Sequence, residues 1–158
     1  MQLRNYKTSD AKACWALFFH TVHTVTAADY TDAQRNAWAP ADFSMQTWQQ
    51  RLDTIRPIIA EEDGHLAGYA DLQADGLIDH FFVSVHYQKC GVGRFLMEEI
   101  VRRAKEKNMA RLYAHVSKTA KPFFSKNGFA VEREQEVAIG GIALTNYVMS
   151  RQISPDQP

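Results

Sequence analysis

Residues 86–97 read HYQKCGVGRFLM, and the two glycines of this stretch, Gly91 and Gly93, stand where a helix is about to begin. Glycine inside a helix costs about 1 kcal/mol relative to alanine. Two glycines at a helix start therefore indicate a tight turn or a backbone that approaches a ligand closely. Free N–H groups and the helix dipole at such a start favour an anion. The stretch predicts an anion-binding loop, which we call the glycine loop (residues 88–94).

Two well-known phosphate loops do not match this stretch. The dinucleotide-binding fingerprint needs a third glycine where this chain has Leu96. The P-loop needs Lys and then Ser or Thr after its last glycine, whereas Gly93 is followed by Arg94 and Phe95. Both nucleotide-binding patterns are excluded.

The pattern around the glycine loop predicts a mixed α/β fold. An apolar strand over residues 77–85 precedes the loop, and a long helix begins at Val92. The full order is one strand, three helices, three strands, a helix, a strand, a short helix and two strands. The strand after the long helix is expected to return parallel to an earlier one. We predict one mixed sheet with helices on both faces, a single domain over residues 1–152, and a frayed tail at 153–158.

Composition excludes several classes of partner. Eighteen basic residues balance eighteen acidic ones, so no net field favours nucleic acid or an anionic membrane. Cys14 and Cys90 are the two cysteines and predict reduced thiols in the cytoplasm. No apolar secretion signal opens the chain, and no metal-ligand spacing stands out among the six histidines.

The surviving pattern, Gln88-x-x-Gly91-x-Gly93 after an apolar strand, resembles the acetyl-CoA motif of the GNAT superfamily of N-acetyltransferases. The later stretch TAKPFFSKNGF (residues 119–129) resembles the second signature of that family. Tyr30, Thr31, Gln34, Ala37 and Trp38 also match a group of small bacterial members. The resemblance implies the GNAT acyl-CoA N-acyltransferase fold, with a mostly antiparallel sheet and a parallel central pair flanked by helices.

The resemblance implies acetyl-CoA as cofactor, with direct attack by an amine in a ternary complex. The strand before the loop is expected to hold the pantetheine arm, and an N–H near Val83 to polarise the thioester carbonyl. Glycine is expected at Gly91 and Gly93 because a Cβ would keep the backbone away from the phosphates. The expected cofactor-binding residues are Phe82, Val83, Val85, Gln88, Lys89, Cys90, Gly91, Val92, Gly93, Arg94, Ser117 and Phe124.

Two positions depart from the family pattern. Many members have a tyrosine that protonates the leaving thiolate where this chain has Phe124, and an asparagine where it has Ser117. Tyr147, on the last strand, is a substitute general acid, or else a tyrosine that packs on the sheet. A coenzyme A thiolate also leaves without much help from an acid.

Deprotonation of the amine needs a base, and Asp79 is our candidate, with a structural salt bridge as the alternative. Strand alternation would send Asp79, Phe81 and Val83 to one face, and His80 and Phe82 to the other. His115, by contrast, is expected to be a satisfied core histidine.

Tyr30 and Trp38 are the expected walls of the acceptor pocket. The sequence shows no acidic cluster for a polycationic acceptor. The expected acceptor is then an amine of a small molecule or a peptide. The sequence does not decide between a monomer and a homodimer. Two other readings remain: a CoA-binding regulatory module without turnover, and a transferase for longer acyl chains.

Overall fold

The structure, a computed structural model, describes residues 1–154. Residues 155–158, which make up most of the expected frayed tail, lie outside the described residues. The helices are α1 Ala11–Thr24, α2 Asp32–Trp38, α3 Met45–Ile55, α4 Val92–Glu106 and α5 Lys121–Lys126. The strands are β1 Gln2–Asn5, β2 Ile58–Glu62, β3 His65–Ala70, β4 Leu77–Ile78, β5 Phe81–Val83, β6 Arg111–Ser117, β7 Ala130–Ile139 and β8 Ile142–Gln152.

The strands form two four-stranded sheets. The first sheet has the order β1-β2-β3-β5 and is antiparallel throughout. The second sheet has the order β4-β6-β8-β7, in which β4 and β6 are parallel and the other pairs antiparallel. The expected mixed α/β fold with one parallel pair is confirmed. The single continuous sheet is not, because the strand predicted over residues 77–85 divides between the two sheets.

Asp71 explains why that strand divides. Its side chain is fully buried, and its Oδ1 accepts the main-chain N–H groups of Asp79 at 2.7 Å and His80 at 2.8 Å. Gln73 Nε2 donates to the other carboxylate oxygen at 3.1 Å. Because a carboxylate takes amides that a neighbouring strand would otherwise take, the chain leaves the second sheet after Ile78 and enters the first at Phe81.

Two apolar clusters fill the two sides of the molecule. One is rich in aromatic rings and lies where α1 and α3 cover the first sheet, with Trp48 fully buried at its centre. The other lies under α4 and α5. Strand β5 separates them: Phe82 packs against the aromatic cluster, and Phe81 and Val83 pack against the second. The two apolar clusters therefore contact opposite faces of this short strand.

No helix in residues 1–154 combines the length and the apolar character that crossing a membrane requires.

Candidate active site

A cavity of about 450 Å³ opens where the two sheets separate. Its walls come from α1, α2, the β4–β5 segment, the glycine loop, β6 and α5. Because the chain leaves the second sheet after β4 and β5 pairs with β3 in the first sheet, no ladder hydrogen bonds close the gap between β5 and β6. The cavity therefore reaches from the side of α4 and α5 to the side of α1 and α2.

Most of the site residues expected from the sequence line this cavity. They are Trp38, Asp79, Phe82, Val83, Gln88, Lys89, Gly91, Val92, Gly93, Arg94, Ser117 and Phe124.

The side chain of Gln88 braces the glycine loop against β5. Its Nε2 donates to the carbonyl of Val83 at 2.8 Å and to that of Ser84 at 3.3 Å. The segment that joins β5 to the glycine loop is a short 3-10 turn over Val85–Tyr87, and the Oγ of Ser84 accepts the N–H of His86 at its start. The loop is therefore held at a fixed distance from the end of the strand.

Gly91 and Gly93 each require glycine, but for different structural reasons. Gly91 has φ 86° and open space where a Cβ would project, so the left-handed backbone itself favours glycine. A Cβ on Gly93 would lie 2.9 Å from Cε1 of Phe123, so the close approach of α5 requires glycine there. The expectation that both glycines exist to admit phosphates is therefore incomplete, since neighbouring protein explains Gly93.

The start of α4 presents free amides beside the loop. The first helical bond runs from the N–H of Phe95 to the carbonyl of Gly91 at 3.0 Å, which leaves the N–H groups of Val92, Gly93 and Arg94 to other acceptors. Arg94 itself is exposed and its guanidinium pairs with Glu98 at 2.9 Å. Main-chain donors and the helix dipole thus make this end of the cavity a site for anions.

Val83 directs its main-chain groups toward the gap between the sheets. Ser84 donates to Ala67 at 2.8 Å and Asp71 donates to His80 at 3.0 Å, so alternate residues of this segment bond to the β3 side. Val83 therefore faces the opposite edge, and its carbonyl accepts Thr21 Oγ1 at 3.0 Å instead of a strand neighbour. The N–H of the same residue points to the same edge, where an oxyanion could be stabilised.

Asp79 and His80 lie side by side, contrary to the alternation expected for a continuous strand. Asp79 Oδ2 is 3.8 Å from His80 Nε2, because the break pinned by Asp71 interrupts the strand. His80 is buried, and burial lowers the pKa of its imidazole well below the ordinary value. The imidazole is thus neutral at pH 7, and the half-exposed side chain of Asp79 lies beside it at the cavity.

His115 is exposed and lines the cavity, so the expectation of a core histidine is wrong. The alternate residues Leu112, Ala114 and Val116 point into the core under α4 and α5. His115 and Ser117 therefore lie on the other face of β6, toward α1 and α2.

Phe124 fills the position where a tyrosine was expected. Its ring is 3% exposed and packs edge-on against Phe81 and Phe129, with centroids 5.6 Å and 5.0 Å away. Ser117 contributes its Oγ as the acceptor for the N–H of Ala120 at the start of α5. Neither residue offers the cavity an acidic hydroxyl in the way a tyrosine would.

Four expected site residues are not among the residues that line the cavity: Tyr30, Val85, Cys90 and Tyr147. Tyr147 lies under Lys121, whose Nζ is 4.4 Å from the ring centroid. Partial burial and the carboxylate of Glu134 raise the pKa of Tyr147. A sheet-packing tyrosine agrees with this position better than a general acid at the cavity does.

Tyr30 is buried behind the cavity wall. Its hydroxyl donates to the carbonyl of Thr145 at 2.6 Å and accepts the N–H of Lys118 at 2.9 Å. Its ring contacts Trp38 at a centroid distance of 5.6 Å. Tyr30 therefore joins α2, β8 and the entry to α5, and Trp38 is the member of the pair that reaches the cavity.

Several residues that line the cavity were not predicted as site residues, above all Thr21, His115 and Phe123. Thr21 had a usable signal, since it is a polar residue on the buried stripe of α1 beside Leu17 and Phe18. Phe123 carries no such signal, because an apolar residue next to Phe124 is equally expected in the core.

The chain matches a family model described as "Acetyltransferase (GNAT) domain" over residues 26–151. It is 30% identical to the uncharacterized N-acetyltransferase YafP of Escherichia coli (strain K12), over 94% of each chain. The crystal structure of a GCN5-related N-acetyltransferase from Rhodopseudomonas palustris superposes with a TM-score of 0.91 at 30% identity, covering 96% of this chain and 94% of that one. The PaiA N-acetyltransferase of Thermoplasma acidophilum, solved in complex with coenzyme A, shares the fold with a TM-score of 0.74 at 17% identity, covering 96% and 98%. Sequence and fold agree, and the protein belongs to the GNAT family of acetyltransferases.

Proposed function

We propose that this protein is an acetyl-CoA-dependent N-acetyltransferase that acts on a primary amine of a small molecule or peptide, in a ternary complex of both substrates. The observation that carries the proposal is the cavity between the sheets, which has main-chain N–H donors at one end and the Asp79 carboxylate at the other. Such a cavity can receive an anionic donor and a cationic acceptor from opposite sides.

The residues at the α4 end fit coenzyme A. The amides that begin α4, next to the left-handed residues Lys89 and Gly91, suit a pyrophosphate. The gap beside Val83 is lined by Phe81, Val116 and other apolar side chains, which suit the uncharged pantetheine arm. The Thermoplasma acidophilum protein that shares this fold was solved in complex with coenzyme A, which is consistent with coenzyme A as the ligand proposed here.

When bound, acetyl-CoA supplies a thioester whose sulfur the amine nitrogen replaces at the acetyl carbon, and the electron pair of the broken bond leaves on sulfur. The N–H of Val83 stabilises the charge that develops on the carbonyl oxygen. Asp79 accepts the proton that the nitrogen loses, directly or through water. No residue is assigned as general acid, since the Phe124 ring cannot donate a proton and Tyr147 does not line the cavity.

Phe124 also favours the second candidate, a CoA-binding module on the same fold that does not turn over. Such a module would keep the glycine loop and the Val83 edge but would have no use for Asp79. The free cysteines Cys14 and Cys90 suit a reducing compartment, so we assign either function to the cytoplasm. A homodimer is compatible with both candidates.

Isothermal titration with acetyl-CoA, combined with a thiol-release assay over a panel of primary amines, tests the proposal. We expect binding of acetyl-CoA and release of thiol with at least one amine. The Asp79→Asn variant should bind acetyl-CoA with unchanged affinity and lose about 100-fold in kcat/KM. Binding without thiol release on any amine, under conditions where a control enzyme turns over, would overturn the enzyme in favour of the binding module.

A further inference from the structure

The acceptor end of the cavity pairs one carboxylate with one imidazole. Strands β4 and β6 run parallel, with Leu77 opposite Tyr113 and Ile78 opposite Ala114. The next positions along the two strands are Asp79 and His115, and both line the cavity. Asp79 directly follows the paired residue Ile78, and His115 directly follows its partner Ala114, so the two side chains flank one spot at the mouth of the gap.

The charges around this spot fit a single ammonium group. Of the described residues that line the cavity, Asp79 is the one acidic side chain. The cationic side chains Lys89 and Arg94 lie at the glycine loop, at the other end. A second ammonium group on the acceptor would find no further carboxylate to pair with among the described residues of the cavity wall. A carboxylate on the acceptor would lie close to the Asp79 side chain and be repelled by it.

The remaining surface around the acceptor end is largely apolar. Trp38 and Val25 reach it from the α1–α2 side, and Phe82 reaches it from β5. The rings of Trp38 and Phe82 have centroids 6.4 Å apart. At about 450 Å³ the cavity is near the small end of the usual range for ligand pockets, roughly 300–1,000 Å³, and the pantetheine arm shares it.

We infer that the acceptor is a compact primary monoamine with an apolar body, whose nitrogen lies between Asp79 and His115 and whose body contacts Trp38 and Phe82. This inference rests on the proposed function and names the class of its substrate. Diamines, polyamines and free amino acids are disfavoured, since each adds a charge that the acceptor end does not match.

Three probes of equal carbon-chain character test the inference: pentylamine, 1,5-diaminopentane and norleucine. All three have the same five-carbon chain with a primary amine at one end. The diamine adds an ammonium group at the far end, and norleucine adds a carboxylate on the carbon that bears the amine. We expect kcat/KM for pentylamine to exceed that for either of the others by at least tenfold. An equal or higher value for the diamine or the amino acid would overturn the inferred class while leaving the acetyltransferase itself intact.

Two variants locate the effect. Val25→Glu adds a second carboxylate to the wall and should raise the preference for 1,5-diaminopentane relative to pentylamine by about tenfold. Trp38→Leu should raise the KM for pentylamine several-fold, whereas Trp15→Leu should not. Trp15 is the matched control because it stacks on Phe43 in the aromatic cluster and does not line the cavity. If Trp15→Leu and Trp38→Leu had equal effects on KM, the assigned acceptor wall would be wrong.

A binding measurement keeps this test separate from turnover. Saturation-transfer NMR with the three probes, on the protein with coenzyme A present, reports which of them binds near the aromatic rings. If acetyl-CoA binds and no amine releases thiol, the proposed enzyme fails, and preferential binding of pentylamine would still support the inferred class. If all three probes bind equally, the inferred class fails whatever the outcome of the activity assay.

Discussion

Gly93 lies against the ring of Phe123, so closely that a Cβ on Gly93 would be 2.9 Å from Cε1 and 3.1 Å from Cζ of that ring. The contact joins the start of α4 to α5, and both residues also line the cavity. The glycine thereby sets how near the two helices approach each other. The width of the cavity at the glycine loop depends on this contact.

Gly93→Ala should push the Phe123 ring away and reshape the cavity, because real Cβ atoms do not approach a ring to 2.9 Å. We expect about a tenfold loss of affinity for acetyl-CoA, measured by isothermal titration. The double variant Gly93→Ala/Phe123→Leu removes the ring atoms and should recover part of the loss. Simple additivity of the two single changes would contradict this account, since residues in contact are expected to couple.

Gly91→Ala tests the loop through the backbone instead of through a neighbour. Gly91 has φ 86° and Gly64, in the β2–β3 turn, has φ 79°, and neither would have a heavy atom within 4 Å of an added Cβ. Both Gly→Ala changes should therefore cost about 1–2 kcal/mol of unfolding free energy, measured with urea. We expect the Gly91 variant alone to lose affinity for acetyl-CoA. Equal affinities in the two variants would remove the glycine loop from the cofactor site.

The sequence was sufficient to predict the glycine loop, the helix after it and the parallel return of β6, because each depends on residues that are close in sequence. The division of the strand at Asp79 was not predicted. It depends on the main-chain N–H groups of Asp79 and His80 donating to the Asp71 carboxylate, which no periodicity within residues 77–85 reveals. The need for glycine at position 93 was likewise not predicted from local sequence, because the ring that excludes a Cβ there is Phe123 of another helix, α5. Local patterns predicted the elements, and tertiary partners decided how the elements separate to form the site.

The buried carboxylate of Asp71 should leave a signature in the pH dependence of stability. Burial raises the pKa of Asp71 to about 6, whereas an unfolded chain loses this proton near pH 4. The folded state therefore binds more protons between these values. The contribution of Asp71 to the free energy of unfolding is fully present below about pH 4 and is lost as the pH rises through about 6.

Asp71→Asn removes this titration while keeping an oxygen acceptor for the two amides. Between pH 4 and pH 6, urea unfolding should show the wild type losing more stability than the variant as pH rises, by on the order of 1–3 kcal/mol. Asp75→Asn is the control, because hydrogen bonds from Tyr113 and Leu77 lower the pKa of Asp75, so its contribution to stability is present above about pH 4 and is lost only as the pH falls below that value. Identical pH profiles for the wild type and Asp71→Asn would show that Asp71 does not titrate in this range.

Tyr30→Phe tests whether the hydrogen bonds of the Tyr30 hydroxyl hold Trp38, in the cavity wall, in place relative to Lys118, which precedes α5. The change removes the hydroxyl that bonds to Thr145 and Lys118 but keeps the ring beside Trp38. Two main-chain groups lose a partner, so we expect about 1–3 kcal/mol less unfolding free energy. Because Trp38 lines the cavity, as do Ser117, Thr119 and Ala120 beside Lys118, we also expect the KM for the acceptor amine to rise several-fold.

Tyr6→Phe is the matched control for this prediction. Tyr6 and Tyr30 are both 4% exposed, and the hydroxyl of Tyr6 donates to Asp53 at 2.8 Å, in the layer of α1 and α3 away from the cavity. Both variants should lose stability in urea unfolding, since each loses a hydrogen bond of a buried hydroxyl. The KM for the amine should change in Tyr30→Phe alone. A parallel change of KM in both would mean that general loosening, and not the bond network of Tyr30, governs the acceptor end.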